Sequence, residues 1–287
     1  MTAAASIEDR ISDAYGDLSA KLRTAADYVA GHPVEVATRS LRSLAQTSGV
    51  SPATFSRLAR ALGFADYEEM REAGRAAVGA KLAPFSERAR ALRGDGDAAD
   101  LLHRQAGACV SNIAYLEQNT PAERLEAAAD ALHAAPKVLL IASLGSTGVL
   151  DAFGYQAGWF KPGWRVAGRD GASAAASLSR MAPGDVVFAL IKTPYARRTM
   201  TALETARANG LTTVVVTDGH GSPALGFADH GFVVPTDGAN FFSSYVATMV
   251  LLETIMAMLL RKSGDDAERR IRDTEDHLDR MGENWPA

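Results

Sequence analysis

From Pro136 onward, short apolar segments alternate with helical segments, and this alternation constrains the fold more than any other feature. The apolar segments are Val138–Ala142, Trp164–Ala167, Asp185–Ile191, Thr212–Thr217 and Gly231–Val234. Helices are predicted for Thr147–Phe160, Ala172–Met181, Arg197–Asn209 and Ser243–Leu260, followed by a charged C-terminal helix. Near-continuous apolar strands with intervening helices are typical of a parallel sheet buried on both faces. The pattern predicts an α/β domain with helices on both faces of a parallel sheet.

The first 80 residues follow a different, all-helical pattern that contains a helix-turn-helix. Leu41–Thr47 and Ser51–Leu62 are predicted helices, and Ser48–Val50 is the turn between them. Gly49 can take the positive φ that such a turn requires. Ser51 followed by Pro52 is a typical helix start, and Gly63 is a typical helix end.

The exposed face of this helix-turn-helix is predicted to be basic. Residues 37–64 contain four arginines and no acidic residue. Short hydroxyl side chains and arginine suit contact with base edges and phosphates in the major groove. The candidate DNA-binding residues are Arg39, Arg42, Ser51, Ala53, Thr54, Ser56, Arg57 and Arg60. The alternative is an ordinary helical hairpin whose polar face meets only water.

Composition limits the class of protein further. The chain has 287 residues and a formal net charge of −4, which favours two domains and a local basic patch rather than a generally basic surface. Its single cysteine, Cys109, excludes an intrachain disulfide and favours a reduced, cytoplasmic setting. The N-terminus has no signal-peptide pattern. The apolar segment 246–260 is shorter than the roughly 20 residues that span a bilayer. No motif predicts a cofactor or a bound metal.

The predicted organisation is an N-terminal domain, a connecting region and a sheet domain. The helix-turn-helix domain is expected over residues 1–80 and the connecting region over 81–120, with a weak stretch at Arg93–Asp97 and a long helix at Ala98–Gln118. The sheet domain is expected over residues 121–287, beginning with a helix that ends near Ala134.

Two strand ends are predicted to bind an anion. Ligands of parallel sheets lie at the carboxyl ends of the strands, near helix N-termini. Ser143–Gly148 carries hydroxyls and small residues at one such turn, and Lys192–Thr199 places three cations at another, where the helix dipole disfavours them. A routine βα turn is the alternative for the first segment, which is not a Walker A loop. The candidate effector-binding residues are Ser143, Gly145, Ser146, Thr147, Lys192, Thr193, Tyr195, Arg197 and Thr199.

These features together resemble the RpiR/MurR family of bacterial transcription regulators. Val50–Phe64 (VSPATFSRLARALGF) is similar to the family's recognition helix, and Tyr67 lies where the family often has an aromatic residue. Further similarity lies at Val138–Gly148, at Met181–Val187, and in the segment after the fourth strand, which contains Thr217-Asp218, Ser222-Pro223 and Ala228-Asp229. The resemblance implies a helix-turn-helix domain joined to a sugar isomerase (SIS) domain that binds a phosphosugar or related sugar acid and alters DNA affinity.

The chain departs from the family pattern at the phosphate loop. Family SIS domains usually end the third strand with a Ser-x-Ser-Gly-x-Thr type of loop, whereas this chain has Ile191, Thr193, Pro194 and Ala196 at the corresponding places. Arg and Lys could hold a phosphate in place of the hydroxyls. A different anion, or a degenerate site, is the alternative.

Three functions stay open from the sequence. The expected one is a non-enzymatic transcriptional regulator that binds double-stranded operator DNA as a homodimer or homotetramer, with the helix at 246–260 as a candidate interface. A sugar-phosphate isomerase needs a general base, for which Glu204, His133 and His220 are candidates by position. A SIS domain that only dimerises would leave a constitutive DNA binder.

Overall fold

The fold is known from a computed structural model that describes residues 7–93, 96–169, 171, 173–283 and 285. By its internal contacts the chain divides into two compact units, which are described separately below. The first is Met1–Ser111 with Gly238–Ser243, and the second is Asn112–Asp237 with Ser244–Ala287. The predicted connecting region 81–120 therefore lies on both sides of the boundary. Parts of the expected N-terminus, linker and third sheet-domain helix (residues 1–6, Gly94, Asp95 and Ala172) lie outside the described residues.

The first unit is helical. Its helices are α1 (Ile7–Ala14), α2 (Ala20–Gly31), α3 (Pro33–Thr38), α4 (Leu41–Ser48), α5 (Pro52–Ala61), α6 (Tyr67–Leu82), α7 (Phe85–Ala91) and most of α8 (Ala98–Asn119). The fully buried side chains of Leu44, Phe55, Leu58 and Met70 lie in one core shared by α4, α5 and α6. The predicted helix-turn-helix is α4–turn–α5.

Its turn has the predicted chemistry. Gly49 ends α4 with φ +70°, a conformation that costs glycine little because it has no Cβ. Ser51 is the N-cap of α5: its Oγ accepts from the Thr54 N–H at 3.2 Å, and Pro52 occupies the first turn. Gly63 follows α5 with φ +81°. The helix bounds predicted from sequence are correct to within one residue.

The second unit is the predicted parallel α/β domain. Its strands are β1 (Val138–Ala142), β2 (Trp164–Val166), β3 (Val186–Leu190), β4 (Thr212–Thr217) and β5 (His230–Val233), all parallel in the order β2-β1-β3-β4-β5. Its helices after α8 are α9 (Ala122–Ala134), α10 (Ser146–Gly158), α11 (Ala174–Leu178), α12 (Arg197–Ala208) and α13 (Val246–Met281).

The sheet is covered on both faces. One apolar core joins alternate strand residues such as Leu140 and Phe188 to α9, α10 and α13. On the other face, Leu139, Ile141 and Val187 pack on α11 and α12. This two-sided burial explains why the strands are apolar at nearly every position.

One predicted helix is shorter than expected, and the last helix is interrupted. The third helix of the domain is only Ala174–Leu178, within the expected 172–181. The last predicted helix and the charged C-terminal helix are both present: α13 (Val246–Met281) consists of an apolar first part and a charged second part, separated by Gly264 in a non-helical conformation (φ 53°). In the described part of the chain, no helix combines the length and apolarity that crossing a membrane requires.

Candidate functional site

The start of α5 presents a polar face. The Ser51 and Thr54 hydroxyls lie 2.8 Å apart, so both side chains are held at the first turn. Ala53 and Arg57 are exposed, while Thr54 and Ser56 are half-buried. The N-terminal part of a recognition helix is the part that reaches base edges in the major groove.

The arginines of the helix-turn-helix fall into two groups. Arg42, Arg57 and Arg60 are exposed, and none of them has a hydrogen-bond or ion-pair partner among the residues that the structure describes. Arg39 differs, because it donates to Thr47 Oγ1 at 2.8 Å and lies 3.5 Å from a Glu35 oxygen. Glu35 lies just before residues 37–64, the segment that contains no acidic residue. Its negative charge offsets the positive charge of Arg39. Arg42, Arg57 and Arg60 therefore keep their full positive charge on this face, as far as the described residues show.

In the second unit, the loops after β1, β3 and β4 lie side by side at the carboxyl edge of the sheet. The chain order of the strands reverses between β1 and β3. Such a switch point opens a crevice where ligands bind in open α/β sheets. The predicted effector-binding residues all lie in or next to the first two of these loops.

The loop after β1 is held by internal hydrogen bonds. Ser143 Oγ lies 2.9 Å from Oγ1 of the fully buried Thr199, and the buried Ser146 Oγ lies 3.0 Å from the Tyr245 hydroxyl. Leu144 between them is exposed and has φ +56°, a left-handed conformation that is uncommon for leucine. Gly145 is exposed at the N-cap of α10, and Thr147 is half-buried in its first turn.

Lys192, two residues after β3, is buried. It is 6% exposed, its Nζ donates to Thr248 Oγ1 at 2.7 Å, and it lies 5.1 Å from the centroid of the Tyr245 ring. Burial lowers the pKa of Lys192 to about 7, against the opposing effect of the Asp218 charge. No carboxylate forms an ion pair with it in the described part of the chain. The sequence had placed Lys192 with Arg197 and Arg198 in one basic helix start, but the two arginines are exposed.

Asp218 organises the loops after β3 and β4. Its Oδ2 accepts from the Thr193 N–H at 2.8 Å, and Thr193 precedes a cis peptide bond to Pro194. The Tyr195 side chain lies near Thr193, Asp218 and Ser222, and burial raises the pKa of Tyr195. These contacts fix the loop that carries Lys192.

The candidate bases for isomerase chemistry are not brought together. His133 lies near the amino end of β1 and its Nδ1 accepts from Lys161 Nζ at 3.0 Å. His220 Nε2 lies 3.2 Å from the Tyr115 hydroxyl, and Glu204 is exposed on α12. Within the described ranges, no group of His, Cys, Asp and Glu side chains is placed to hold a metal ion.

Comparison with known families explains both units. A helix-turn-helix domain of the rpiR family matches residues 5–76, and a SIS domain matches residues 165–258. The chain thus joins an rpiR-family helix-turn-helix domain to a SIS domain. The SIS match contains Lys192, Asp218, Tyr245 and Thr248, whereas the loop after β1 precedes it. No curated protein sequence matches the chain significantly.

Solved structures agree with this assignment at the level of the fold. The NanR protein of Vibrio vulnificus, complexed with ManNAc-6P, is 21% identical with a TM-score of 0.57, over 96% of this chain and 98% of NanR. The sugar isomerase domain of an RpiR transcription factor from Sphaerobacter thermophilus is 23% identical with a TM-score of 0.58, over 61% of this chain and 98% of that domain. A candidate sugar-phosphate isomerase from Listeria monocytogenes is 14% identical with a TM-score of 0.51, over 60% and 93% of the two chains.

Several residues that line the candidate site were not identified from the sequence. Tyr245 and Thr248 lie at the start of a strongly apolar helix, more than 50 residues after Lys192. Their polar atoms could have indicated this position, because a tyrosine and a threonine that are buried beside an apolar helix face need hydrogen-bond partners. Asp218 was noted only as part of the resemblance, and Ser222 likewise.

Proposed function

We propose that the protein is a transcriptional regulator that binds operator DNA and senses a phosphosugar or related anionic sugar metabolite through its SIS domain. The observation that carries the proposal is the joining, in one chain, of an rpiR-type helix-turn-helix to a SIS domain. The first supplies a surface for DNA, and the second supplies a crevice for a small anion.

The DNA-binding part of the proposal rests on the face of α5. Arg57 and Arg60 are exposed without partners, and Thr54 is fixed by its contact with Ser51. In this proposal Thr54, Ser56 and Arg57 approach base edges, with Ala53 beside them. Arg39, Arg42 and Arg60 contact phosphates. One recognition helix per subunit implies that two subunits bind half-sites about one helical turn apart.

The sensing part rests on the switch-point crevice between β1 and β3. The effector is placed between the loop 143–147 and the loop 192–199, where Lys192 and Arg197 supply positive charge. The relative NanR was solved with a sugar phosphate, which supports this class of ligand. The hydroxyl-rich phosphate loop of the family is replaced here by Lys192 and its neighbours.

In this proposal, the chain segment before α13 transmits the effect of effector binding to the DNA-binding domain. The segment Gly238–Ser243 belongs by its contacts to the first unit: Phe242 stacks on Phe85 with ring centroids 4.7 Å apart, and the Ala239 N–H donates to Gln105 Oε1 at 2.8 Å. Two residues later, Tyr245 contacts Ser146 and Lys192 in the effector site. A ligand that favours one arrangement of these residues shifts the population of DNA-binding states.

The proposal includes an oligomer and excludes catalysis as the main role. Exposed Val246 and Leu260 on α13 and Tyr155 on α10 leave apolar surface for a second copy, while Ile255 and Met256 pack into the domain's own core. Isomerisation needs a base at the substrate carbon. His133, His220 and Glu204 are not gathered at the crevice. A cytoplasmic location follows from operator binding and fits the lone cysteine.

The test has two arms on the full-length protein. Selection from random duplexes identifies the preferred DNA, whose affinity is then measured with and without glucose 6-phosphate, ribose 5-phosphate, N-acetylmannosamine 6-phosphate and gluconate. In parallel, the same sugar phosphates are assayed for isomerisation. Sequence-specific binding that one compound changes supports the proposal. Turnover at ordinary enzyme rates without specific DNA binding contradicts it.

A further inference from the structure

We infer that Lys192 is the receptor for the oxyanion of the effector, so the ligand of the SIS crevice must deliver a phosphate or carboxylate to the end of β3. This inference deepens the proposed function and rests on it. It differs from a general prediction of anion binding because it assigns the charge recognition to one buried side chain.

The hydrogen bonding of Lys192 is incomplete. An ammonium group has three donors, and among the described residues Nζ has one acceptor, Thr248 Oγ1. The aromatic face of Tyr245 lies on another side of it, at cation–π distance. A side chain that is 94% buried cannot complete its hydrogen bonds with bulk water as an exposed lysine does. An oxyanion supplies both missing acceptors and the opposite charge.

The nearby carboxylate does not fill this role. Asp218 Oδ2 accepts from the Thr193 N–H in the loop after β3, and Oδ1 lies 3.4 Å from the Thr217 hydroxyl, so both oxygens already have other partners. A buried ammonium without an ion-pair partner lowers the stability of the folded protein. In this protein the destabilising ammonium lies at a strand end, which is where ligands of this fold class bind.

The other polar groups of the crevice are less suited to be the main receptor. Ser143 is bonded to Thr199, and Ser146 to Tyr245, inside the domain. Arg197 is exposed to water, which weakens its electrostatic interaction with an anion. Lys192 is the buried cation that these loops surround.

Anion binding at Lys192 requires the protonated amine, so binding depends on pH. The groups that face Lys192 are Asp218 after β4 and Tyr245 before α13, while Tyr195 contacts Asp218. Burial lowers the pKa of Lys192 to about 7. Above that pH, an anion of constant charge can bind only if the Lys192 amine takes up a proton, and the free energy that this requires rises with pH. Its affinity falls by up to about tenfold per pH unit as the neutral amine becomes dominant.

The test is calorimetric titration of the full-length protein with sulfate, whose charge is constant over the range used. Wild type, Lys192→Met and Lys192→Gln are compared at about pH 6 and about pH 8.5, since the pKa lies between them. Lys137→Met is the matched control, because Lys137 precedes β1 at the opposite edge of the sheet. Urea denaturation verifies that each variant is folded.

The expected result is sulfate binding by wild type that weakens at least tenfold in both Lys192 variants and weakens at the higher pH, with the control unchanged. Equal sulfate binding by wild type and Lys192→Met overturns the inference, as does absence of sulfate binding by wild type. Glucose 6-phosphate and gluconate arms then distinguish a phosphate from a carboxylate. Failure here leaves operator selection unaffected, whereas failure of the proposed function appears as loss of specific DNA binding by wild type.

Discussion

The ammonium of Lys192 and the hydroxyl of Thr248 are joined by a 2.7 Å hydrogen bond that ties the end of β3 to the first turn of α13. Tyr245, which precedes α13, is bonded in turn to Ser146 after β1. Tyr245 thus links the loop after β1 to the buried amine at the end of β3. In the proposed function, a ligand that engages this amine acts on the start of α13, which lies shortly after the segment Gly238–Ser243.

Lys192→Met is expected to stabilise the unliganded protein at neutral and acidic pH. The folded-state pKa of about 7 lies below the ordinary lysine pKa of 10.5, so the unfolded state binds more protons between these values. The burial penalty is therefore fully present below pH 7 and declines as pH rises toward 10.5. Each pKa unit corresponds to about 1.4 kcal/mol, which makes the penalty on the order of a few kcal/mol.

The measurement for this prediction is urea denaturation of wild type and Lys192→Met at about pH 6, 8 and 10, which bracket the titration. The stability difference is expected to favour the variant most at the lowest pH and to shrink as pH rises. A difference that is the same at all three values contradicts the burial of a titrating amine.

Arg57→Ala and Thr54→Ala are expected to reduce discrimination between the selected operator and random DNA. Loss of a base contact costs about 1–3 kcal/mol, which corresponds to roughly 5- to 150-fold in specific affinity. Fluorescence anisotropy with both duplexes gives the ratio. Lys21→Ala, on α2, is the charge-matched control for Arg57→Ala and should leave the ratio unchanged. An unchanged operator affinity in Arg57→Ala means that α5 is not the recognition helix.

Ser51→Ala is expected to cost about 1 kcal/mol of stability, because the Thr54 N–H loses its side-chain acceptor. Ser19 offers a matched control: it occupies the N-cap position of α2 but its side chain makes no capping hydrogen bond. Ser19→Ala should therefore be near neutral. Chemical denaturation of both variants is the measurement, and equal destabilisation would show that the cap of α5 contributes nothing.

Arg197→Ala and Thr147→Ala are expected to weaken the effector response while keeping DNA affinity. Both residues lie in first turns of helices at the crevice, α12 and α10, and far in sequence from the helix-turn-helix. Operator affinity is measured with and without the sugar phosphate that acts on wild type. Arg207→Ala, near the other end of α12, is the control. Retention of a full response in both site variants argues against this crevice as the sensor.

Phe242→Ala is expected to weaken the coupling between ligand and DNA. The change removes the stacking of Phe242 on Phe85 but leaves Lys192 and α5 untouched. Operator affinity without ligand and sugar-phosphate affinity without DNA should both stay within about twofold, while the ligand-induced change in operator affinity shrinks. An unaltered coupling would exclude the segment Gly238–Ser243 as the route.

The strands, the turn and the helix cap were predictable because short-range features of the sequence determine them. All five strands were located within two residues because apolar runs buried on both faces differ sharply from their flanks. The turn at Gly49 and the cap at Ser51 follow from the conformational freedom of glycine and the hydrogen-bonding capacity of serine. The helix-turn-helix and SIS domains were correctly identified from motifs that match the family.

The arrangement of the crevice could not be predicted in the same way. Burial of Lys192 depends on Tyr245 and Thr248, which reach it only through the tertiary fold. The pairing of Ser143 with Thr199 likewise joins two loops across the sheet edge. Glu35 lies just before residues 37–64, the segment in which acidic residues were counted, so its contact with Arg39 was not expected from the sequence. The division of α13 into an apolar and a charged helix was predicted from the change in composition after Leu260, and the break lies at Gly264.

Ligand-controlled DNA binding is tested most directly by fluorescence anisotropy of a selected operator duplex, titrated with full-length protein in the presence and absence of the active sugar phosphate at fixed salt. The predicted result is specific binding whose Kd changes by about 5- to 150-fold with the ligand, the range typical of allosteric coupling. The same titration with Lys192→Met should show the specific binding without the change. A protein that binds selected and random duplexes equally, with or without ligand, would contradict it.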